Sequence, residues 1–316
     1  MNSSKVFGSI PQEFLLVGLS WLEEKKLPVS LLLLLMYLVV IVSNCSIIVL
    51  IKTDRKLQEP MHILISLLAL IDLSVSSSVI PKVLAILWFD SIAISSAGCL
   101  IQFYVLYSVL GLQSSLFALM SYDRYVAICH PLRHSTIMSR TFMIKSVVFI
   151  VLRIFILEIP LPALTSSLTF CSVNIIHHSY CDYMEVMKLA CEDPTPIVIY
   201  NTLLICIFPG GDNSLTIFSY IQILRAVDKL KSPQARWKSL STCSAHAILL
   251  TLFYISATFP LYLYIFYPDS PLYVKSISQL ITCLLLPMIN PIIYGAKTKE
   301  IRDGLRRLYW KTILRL

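Results

Sequence analysis

The residues of this chain that could do chemistry stand inside or beside long apolar runs. Asp123 and Arg124 are adjacent at the end of one run, and Asp72 lies within another. Charged groups at such places cost free energy unless they are paired, and they usually face the interior of a helix bundle. The adjacent acid and base therefore indicate an ion pair that can be made and broken, although a mere marker of the end of a span stays open. Asp72, with Asn44 in a third run, predicts a buried ion or water site.

Catalysis explains the same residues less well. An enzyme needs a nucleophile and a base that converge on one point. His246 stands in an apolar run without such a neighbour, and we interpret it as a packing or gating residue. We therefore predict no enzyme, no cofactor and no metal site.

The composition indicates that membrane-spanning helices position these groups. Hydrophobic residues make up 57% of the 316 residues and charged residues only 14%, whereas about a quarter of an average soluble domain is charged. So few charges could not cover the surface of a water-soluble globule. The predicted fold class is an all-α membrane protein.

Seven stretches are long enough to cross a bilayer as a helix, which takes about 20 apolar residues. We expect the fourth of them to be the weakest by hydropathy. They are Leu27–Ile51, Met61–Val83, Ser91–Tyr122, Lys145–Leu164, Thr195–Leu224, Ser239–Pro268 and Ser276–Ala296. Residues 27–296 are thus predicted to form a seven-transmembrane helix bundle, in which Pro260 and Pro287 each free a backbone carbonyl.

The basic residues predict the orientation of the bundle. Most of the 26 Lys and Arg residues fall in the loops after the first, third and fifth spans and in the tail after the seventh. Basic loops stay in the cytoplasm, so the N-terminus is predicted to lie outside. The net charge of +8 is then a topology signal, and no nucleic-acid partner is predicted.

The two termini are predicted to lie on opposite sides of the membrane. Residues 1–26 form a short extracellular tail in which Asn2 can accept a glycan, whereas the acceptor triplet at Asn44 lies within a span. Residues 297–316 form a cytoplasmic tail in which apolar residues recur at helical spacing among basic ones. This pattern predicts a short amphipathic helix on the lipids of the inner leaflet.

Four of the nine cysteines fall in segments predicted to lie outside the cell. An even number of cysteines in oxidising surroundings predicts two disulfides, but spacing alone leaves three pairings open. These cysteines are Cys99, Cys171, Cys181 and Cys191.

Five motifs give the chain a resemblance over its whole length. They are "EPMHILISLLALIDL" (59–73), "SYDRYVAICHPLRH" (121–134), "FSYIQIL" (218–224), "RWKSLSTCSAH" (236–246) and "PMINPIIYG" (287–295). With them the chain resembles the rhodopsin-like G-protein-coupled receptors, and within these the odorant receptors. The segments "IPKVLAILWF" (80–89), "CLIQ" (99–102), "GDNSLTIFSY" (211–220) and "HSYC" (178–181) resemble the class I, or fish-like, branch. Tyr107 departs from that branch, which often has histidine there, and this departure bears on the ligand.

The resemblance implies a signalling mechanism. Asp123 would hold Arg124 in the resting state, and outward movement of the sixth helix would free the arginine to face a heterotrimeric stimulatory G protein, which raises cyclic AMP. The switch residues implied are Asp123, Arg124, Tyr125, Tyr220, Asn290, Pro291 and Tyr294.

The resemblance also implies the disulfide pairing and the location. Cys99 would pair with Cys181, and Cys171 with Cys191. The protein would lie in the plasma membrane, with the cilia of olfactory sensory neurons as its expected place.

A ligand site is expected in the outer half of the bundle, where the receptors that this chain resembles bind odorants. The third and sixth spans each carry residues at the spacing of one helix face, although helix packing explains any one of them equally well. The predicted contacts are Phe103, Leu106, Tyr107, Leu110, Gly111, Asn201, Tyr254, Thr258 and Leu261. An apolar wall with a few hydroxyl groups suits a small molecule.

The charge of the ligand follows from what the sixth span lacks. Between Tyr254 and Tyr267 there is no Arg, Lys or His, and burying an unpaired carboxylate is expensive. We therefore predict a small neutral odorant, such as an alcohol, a ketone or an ester. Lys82, His177 and His178 would overturn this prediction if they faced the ligand.

Other functions fit the sequence less well. A transporter would show inverted repeats with broken helices in both halves, and only "PGGD" (209–212) looks broken. A retinal protein needs a lysine inside the seventh span, and an amine receptor needs an acid where Leu106 stands. A rhodopsin-like receptor for another small molecule, outside the nose, stays open.

Overall fold

The computed structural model describes residues 10–171, 173–267 and 270–313, and Asn2 lies outside them. Eight principal helices follow one another along the described part. They are α1 (Lys26–Thr53), α2 (Pro60–Phe89), α3 (Ser96–Cys129), α4 (Arg140–Ser166), α5 (Thr195–Ile205 and Gly211–Asp228), α6 (Pro233–Phe266), α7 (Leu272–Lys297) and α8 (Lys299–Ile313). Shorter helical turns lie in the connections at Ser20–Lys25, Arg55–Leu57, Pro131–Arg133, His134–Ile137 and Tyr183–Met187. The first seven principal helices form the predicted bundle, and α8 is the predicted short eighth helix.

Six helices in the described part are long and apolar enough to cross a membrane by length and composition. α5 is not among them, because a π-helical segment, Cys206–Gly210, divides it and its second part carries Asp212 among other polar residues. The expectation that the fourth span is the weakest is wrong, since α4 is second only to α1 in hydropathy. Long runs of Val, Ile, Leu and Phe outweigh its ionisable residues, Arg153 and Glu158.

Large apolar side chains cover the outside of the bundle, whereas the polar groups point inward. Leu35, Phe149 and Leu203 are each more than half exposed, and an apolar surface of this extent is unfavourable in water and natural against lipid. Asn44 and Asp72 are fully buried. The protein is therefore a multi-pass membrane protein with a polar interior.

Two prolines in α7 leave carbonyls without a helical partner, and neighbouring helices supply one for each. A proline has no N–H to donate to the carbonyl four residues earlier. Pro291 thus frees the carbonyl of Pro287, which accepts a hydrogen bond from Asn44 Nδ2 of α1 at 2.9 Å. Pro287 frees the carbonyl of Cys283, which accepts one from Ser76 Oγ of α2 at 2.8 Å. Side chains of α1 and α2 therefore stabilise α7 where its own ladder is interrupted.

α6 is joined to α7 in the same way. Pro260 frees the carbonyl of Ser256, and Thr282 Oγ1 of α7 donates to it at 2.9 Å. The sequence predicts the free carbonyl, but only the packing of the helices shows which hydroxyl meets it.

A three-stranded sheet closes one end of the bundle. β1 (Glu13–Leu16) lies between β2 (Ala93–Ser95), which is antiparallel to it, and β3 (Ile175–Ile176), which is parallel. Gly18 follows β1 so close to His178 that a Cβ would come within 2.2 Å of a backbone carbon, so only glycine fits there. The second half of the predicted tail is thus folded onto the bundle as a cover.

The bundle has a disulfide end and a basic end. The disulfide end comprises the sheet and the connection 167–194 between α4 and α5. The basic end comprises the connections α1–α2, α3–α4 and α5–α6, together with α8.

Candidate functional site

Polar groups in the middle of the bundle converge on Asp72 of α2. Asn290 Nδ2 of α7 donates to both carboxylate oxygens, at 3.0 and 2.8 Å, and Gln113 Nε2 of α3 donates to one of them at 3.3 Å. Asn44 and Tyr294 line a cavity of about 10 Å³ beside the carboxylate, which is roughly the room that one water needs. The structure thus brings Asn44, Asp72 and Asn290 together, and amide groups hold the carboxylate.

At the basic end, Asp123 of α3 is shared between two partners. Arg124 Nη2 lies 3.5 Å from Asp123 Oδ2, and His134 Nε2 lies 3.0 Å from Asp123 Oδ1. The sequence predicts the first partner and misses the second. The turn Pro131–Arg133 returns the chain toward α3 and brings His134 to the carboxylate. Asp123 itself is almost fully buried, so both contacts lie largely out of water.

Tyr220 of α5 and His246 of α6 form a second contact near this end. Tyr220 Oη lies 3.0 Å from His246 Nδ1, and the two rings are stacked. Phe117 of α3 packs against His246 and Phe253, with ring centroids 5.8 and 5.2 Å apart. The buried histidine thus joins α3, α5 and α6, an arrangement that suits the packing or gating role expected for it.

The other predicted switch residues lie around these contacts. Tyr125 Oη lies 3.2 Å from His130 Nε2, at the end of α3. Pro291 and Tyr294 line the cavity beside Asp72. The predicted switch therefore falls into two groups, one at the basic end and one at the middle of the bundle.

A partly buried ion pair that sequence reasoning missed connects α3, α4 and α5. Arg153 Nη2 of α4 lies 3.4 Å from Asp212 Oδ1 of α5. Ser115 Oγ of α3 accepts a hydrogen bond from Arg153 at 2.8 Å and donates one to Asp212 Oδ2 at 2.7 Å. The guanidinium carbon also lies 4.9 Å from the centre of the Phe208 ring, a cation–π contact. Tyr254, a predicted ligand contact, interacts electrostatically with Asp212, so the ion pair adjoins the predicted ligand site.

Two disulfides hold the connection 167–194 in place. Cys99, at the start of α3, is bonded to Cys181, and Cys171 is bonded to Cys191. This is the pairing that the resemblance implies. Gln102 Oε1, one turn along α3, accepts a hydrogen bond from the backbone N–H of Cys181 at 2.9 Å. The connection is therefore fixed to α3 by a covalent bond and a hydrogen bond side by side.

The same connection covers the predicted ligand face of α3. The Tyr183 ring packs edge-on against Phe103 and Tyr107, with centroids 5.9 and 6.1 Å apart. The Asp182 carboxyl group lies close enough to Tyr107 to interact with it electrostatically. Asp182 and Tyr183, which sequence reasoning did not select, thus stand beside residues that it did.

The remaining predicted ligand contacts lie in different surroundings. A Cβ on Gly111 would stand 3.6 Å from Ile154 of α4, so Gly111 belongs to the α3–α4 interface. Thr258 is exposed, and its hydroxyl donates to the Tyr254 carbonyl at 2.6 Å. Leu261 lies in α6, but its side chain is outside the described residues. Of the other predicted contacts, Leu106 and Asn201 are buried and Leu110 is half-buried.

Comparison with known proteins agrees with the motifs. The family described as olfactory receptor matches residues 33–312. The human protein Olfactory receptor 51E1 is 40% identical over 298 residues, which cover 94% of this chain and 93% of that protein. Human Olfactory receptor 51E2 is 39% identical over 296 residues, 94% of this chain and 92% of that protein. Human Olfactory receptor 56A1 is 38% identical over 311 residues, 97% and 96% of the two chains.

The chain belongs to the olfactory receptor family. Its relatives are consistent with the class I branch. Members of this family are G-protein-coupled receptors for small odorants and are not enzymes.

In this olfactory receptor, the cationic groups considered for ligand binding are engaged, neutral or exposed. Lys82 Nζ donates to two backbone carbonyls of the segment after α2, at 2.7 and 2.6 Å. Burial lowers the pKa of His178 to about 4, so its imidazole is neutral at physiological pH, whereas His177 is exposed. Burial raises the pKa of Asp182 above its ordinary value.

Proposed function

We propose that this olfactory receptor binds a small neutral odorant in the half of the bundle at the disulfide end. The bound odorant then activates a stimulatory, olfactory-type G protein at the basic end and raises cyclic AMP. In this proposal the disulfide end faces outward, because basic loops stay in the cytoplasm. The receptor lies in the plasma membrane, in the cilia of olfactory sensory neurons.

Two carboxyl groups near Tyr107 are the observation that supports a neutral ligand. Asp182 and Glu158 both interact electrostatically with Tyr107. Glu158 of α4 is only 5% exposed, and within the described part of the chain its Oε2 has no hydrogen-bond partner. A carboxylate ligand would be buried beside these two acids, whereas Lys82 is held by two backbone carbonyls and His178 is neutral. Burying an unpaired charge is unfavourable, so the site selects against acids.

The side chains near Tyr107 suit a neutral molecule with one polar group. Phe103 and Tyr183 offer apolar ring surface, and Leu106 adds an aliphatic side chain. The hydroxyls of Tyr107 and Tyr254 can exchange hydrogen bonds with an alcohol, a ketone or an ester. An apolar wall with a few orienting polar groups is the usual character of a small-molecule site.

The contacts at the basic end support the coupling half of the proposal. Outward movement of α6 separates His246 from Tyr220 and opens the space beside Arg124. The arginine, which shares Asp123 with His134, then has a route to the G protein. A ligand drives this change only if it binds the two states with different affinities. Tyr254 lies on α6 itself, so a ligand that contacts it acts directly on the helix that moves.

A cyclic AMP reporter in cells that express the receptor tests the ligand class. We expect an aliphatic alcohol and its methyl ester to act at lower concentrations than the corresponding acid. Tyr107→Phe, which removes only a hydroxyl, should weaken the response. Tyr104→Phe is the matched control on α3, because the Tyr104 hydroxyl donates to the Phe155 carbonyl at 3.3 Å instead. A response confined to the acid, and lost in Lys82→Ala or His178→Ala, would contradict the proposal.

A further inference from the structure

A groove of about 430 Å³ lies at the basic end, between α1, α7 and α8, far from the residues proposed to bind odorant. Its apolar wall includes Ile47 of α1, Ile292 of α7 and Leu305 of α8. Arg302 and Arg306 of α8 line it as well. Apolar wall and positive charge therefore occur together in one groove.

The groove is built by specific contacts that seat α8 on α1. A Cβ on Gly304 would come within 2.8 Å of Leu50, so the two helices approach closely at that glycine. Arg307 Nη2 lies 2.9 Å from Asp54 Oδ2. These contacts hold α8 at a fixed distance from α1 and leave the groove on one side of it.

The two arginines that line the groove are available to an anion. Arg307 is paired with Asp54, whereas no carboxylate of the described residues lies within 4.0 Å of Arg302 or Arg306. Arg302 Nη1 donates to the Ala296 carbonyl at 3.1 Å, which leaves its other N–H groups free to donate elsewhere. Arg306 is exposed. Guanidinium groups match phosphate oxygens with two parallel hydrogen bonds.

The position of the groove indicates that its occupant comes from the lipid bilayer. Val42 of α1 and Ile292 are both more than half exposed on the lipid-facing side. Trp310, 64% exposed, also lines the groove, and Trp is enriched at membrane–water interfaces. The groove therefore meets lipid chains along its wall and head groups at its arginines.

We infer that this groove binds one anionic phospholipid of the surrounding leaflet, with its phosphate on Arg302 and Arg306 and an acyl chain along Ile47, Ile292 and Leu305. A sterol would need only a hydroxyl partner and would leave two cations unused. The occupant bridges α1, α7 and α8, and so stabilises the seat of α8. The inference is independent of the proposed odorant and of the orientation of the receptor.

Native mass spectrometry of receptor purified from nanodiscs tests the inference. The nanodiscs contain phosphatidylserine and phosphatidylcholine in equal amounts, and the lipid retained on each receptor is counted. We expect the wild type to retain one phosphatidylserine in preference to phosphatidylcholine. Arg306→Gln should lower that bound fraction about five-fold, the usual effect of one basic residue at an anionic membrane surface.

Two further variants separate the site from diffuse attraction. Lys299→Gln removes the same charge from the same helix at a position outside the groove, and it should leave retention unchanged. Ser43→Trp fills the groove from α1 and should remove the retained lipid with both arginines intact. If Arg306→Gln and Lys299→Gln had equal effects, attraction would be diffuse and the inference would fail.

Two other occupants would also overturn the inference. Cholesterol that competes for the groove and is unaffected by Arg306→Gln would identify a sterol site. A wild-type dimer that becomes monomeric in Ser43→Trp would identify a second copy of the chain. Because Arg306 is exposed, Arg306→Gln gives a decisive result even if Ser43→Trp does not fold.

Discussion

The two ends of the bundle are held together in different ways. At the disulfide end, the Cys99–Cys181 bond and a three-stranded sheet fix the connection 167–194 over α3. At the basic end, Asp123 is shared between two partners, and the contact between Tyr220 and His246 helps to link α5 to α6. A disulfide is covalent and a sheet has a ladder of backbone hydrogen bonds, so both keep their partners. Single ion pairs and side-chain hydrogen bonds can exchange partners within microseconds to milliseconds. The disulfide end therefore has fixed walls, whereas the basic end has replaceable contacts.

The two ends also differ in their charged groups. Near Tyr107 lie the carboxyl groups of Asp182 and Glu158, whereas at the basic end Arg124 lies next to Asp123. In the bundle between them, Arg153 and Asp212 form a bridged pair. Removing one partner leaves the other charge unpaired in a partly buried place, which is costly, so a pair between the two ends suits a relay that changes as a unit.

Loss of Arg124 should produce the largest effect on signalling. Arg124→Ala removes the group proposed to face the G protein, so we expect the cyclic AMP response to disappear while surface expression is kept. Arg133→Ala is the matched control, because Arg133 is an exposed arginine at the same end. A response that persists in Arg124→Ala at matched surface level would place coupling elsewhere.

Loss of the disulfides should lower stability, and to different degrees. Removal of a native disulfide costs about 2–5 kcal/mol, and more for a longer loop. The Cys99–Cys181 bond spans 82 residues and the Cys171–Cys191 bond spans 20. We therefore expect Cys99→Ser/Cys181→Ser to lower the melting temperature of the purified receptor more than Cys171→Ser/Cys191→Ser. Equal shifts in melting temperature, or the reverse order, would show that the Cys99–Cys181 bond does not contribute more to stability than the Cys171–Cys191 bond.

Acidification should destabilise the disulfide end through His178. Its pKa is about 4 in the folded protein because it is buried, below the ordinary 6.5, so the unfolded chain takes up a proton first as pH falls. The stability that the neutral imidazole contributes is present above about pH 6.5 and is lost toward pH 4. Asp182, whose pKa is raised by burial, acts in the opposite direction, because there the folded protein takes up the proton first.

The melting temperature of the purified receptor at pH 7 and pH 5 measures this effect. We expect a fall toward pH 5 in the wild type and a smaller fall in His178→Phe, which keeps a ring in the buried space. His177→Phe changes the exposed neighbour and should behave like the wild type. If the melting temperature fell equally from pH 7 to pH 5 in all three proteins, His178 would be excluded as the cause of the fall.

Much of the bundle could be predicted because its signals are local. Apolar stretches locate the helices, closely for Leu27–Ile51 and α1 (Lys26–Thr53), whereas α3 continues seven residues past the predicted Tyr122, to Cys129. Proline positions give the free carbonyls of α6 and α7. The rule that polar groups in apolar spans face inward predicts that Asn44, Asp72 and Asn290 point into the bundle.

The contacts that sequence reasoning missed depend on residues far apart in the chain. β1 pairs with strands about 80 and 160 residues further on, so nothing near Glu13–Leu16 predicts it. Arg153 of α4 pairs with Asp212 of α5, which lies just after the π-helical segment Cys206–Gly210. Gly111 has the spacing of the ligand face, but it faces α4, because spacing alone does not say which neighbour covers a helix.

The selection against acids by two carboxyl groups is the central claim, and removing both carboxyl groups tests it most directly. Asp182→Asn/Glu158→Gln keeps side-chain size, and asparagine can still cap the short helix Tyr183–Met187 as Asp182 does. The measurement is the ratio of half-maximal concentrations for an aliphatic acid and its alcohol in the cyclic AMP assay. We expect the acid to gain about tenfold relative to the alcohol in the variant, since neither carboxyl group is left to oppose a bound carboxylate. An unchanged ratio, or a wild type that already prefers the acid, would contradict the account.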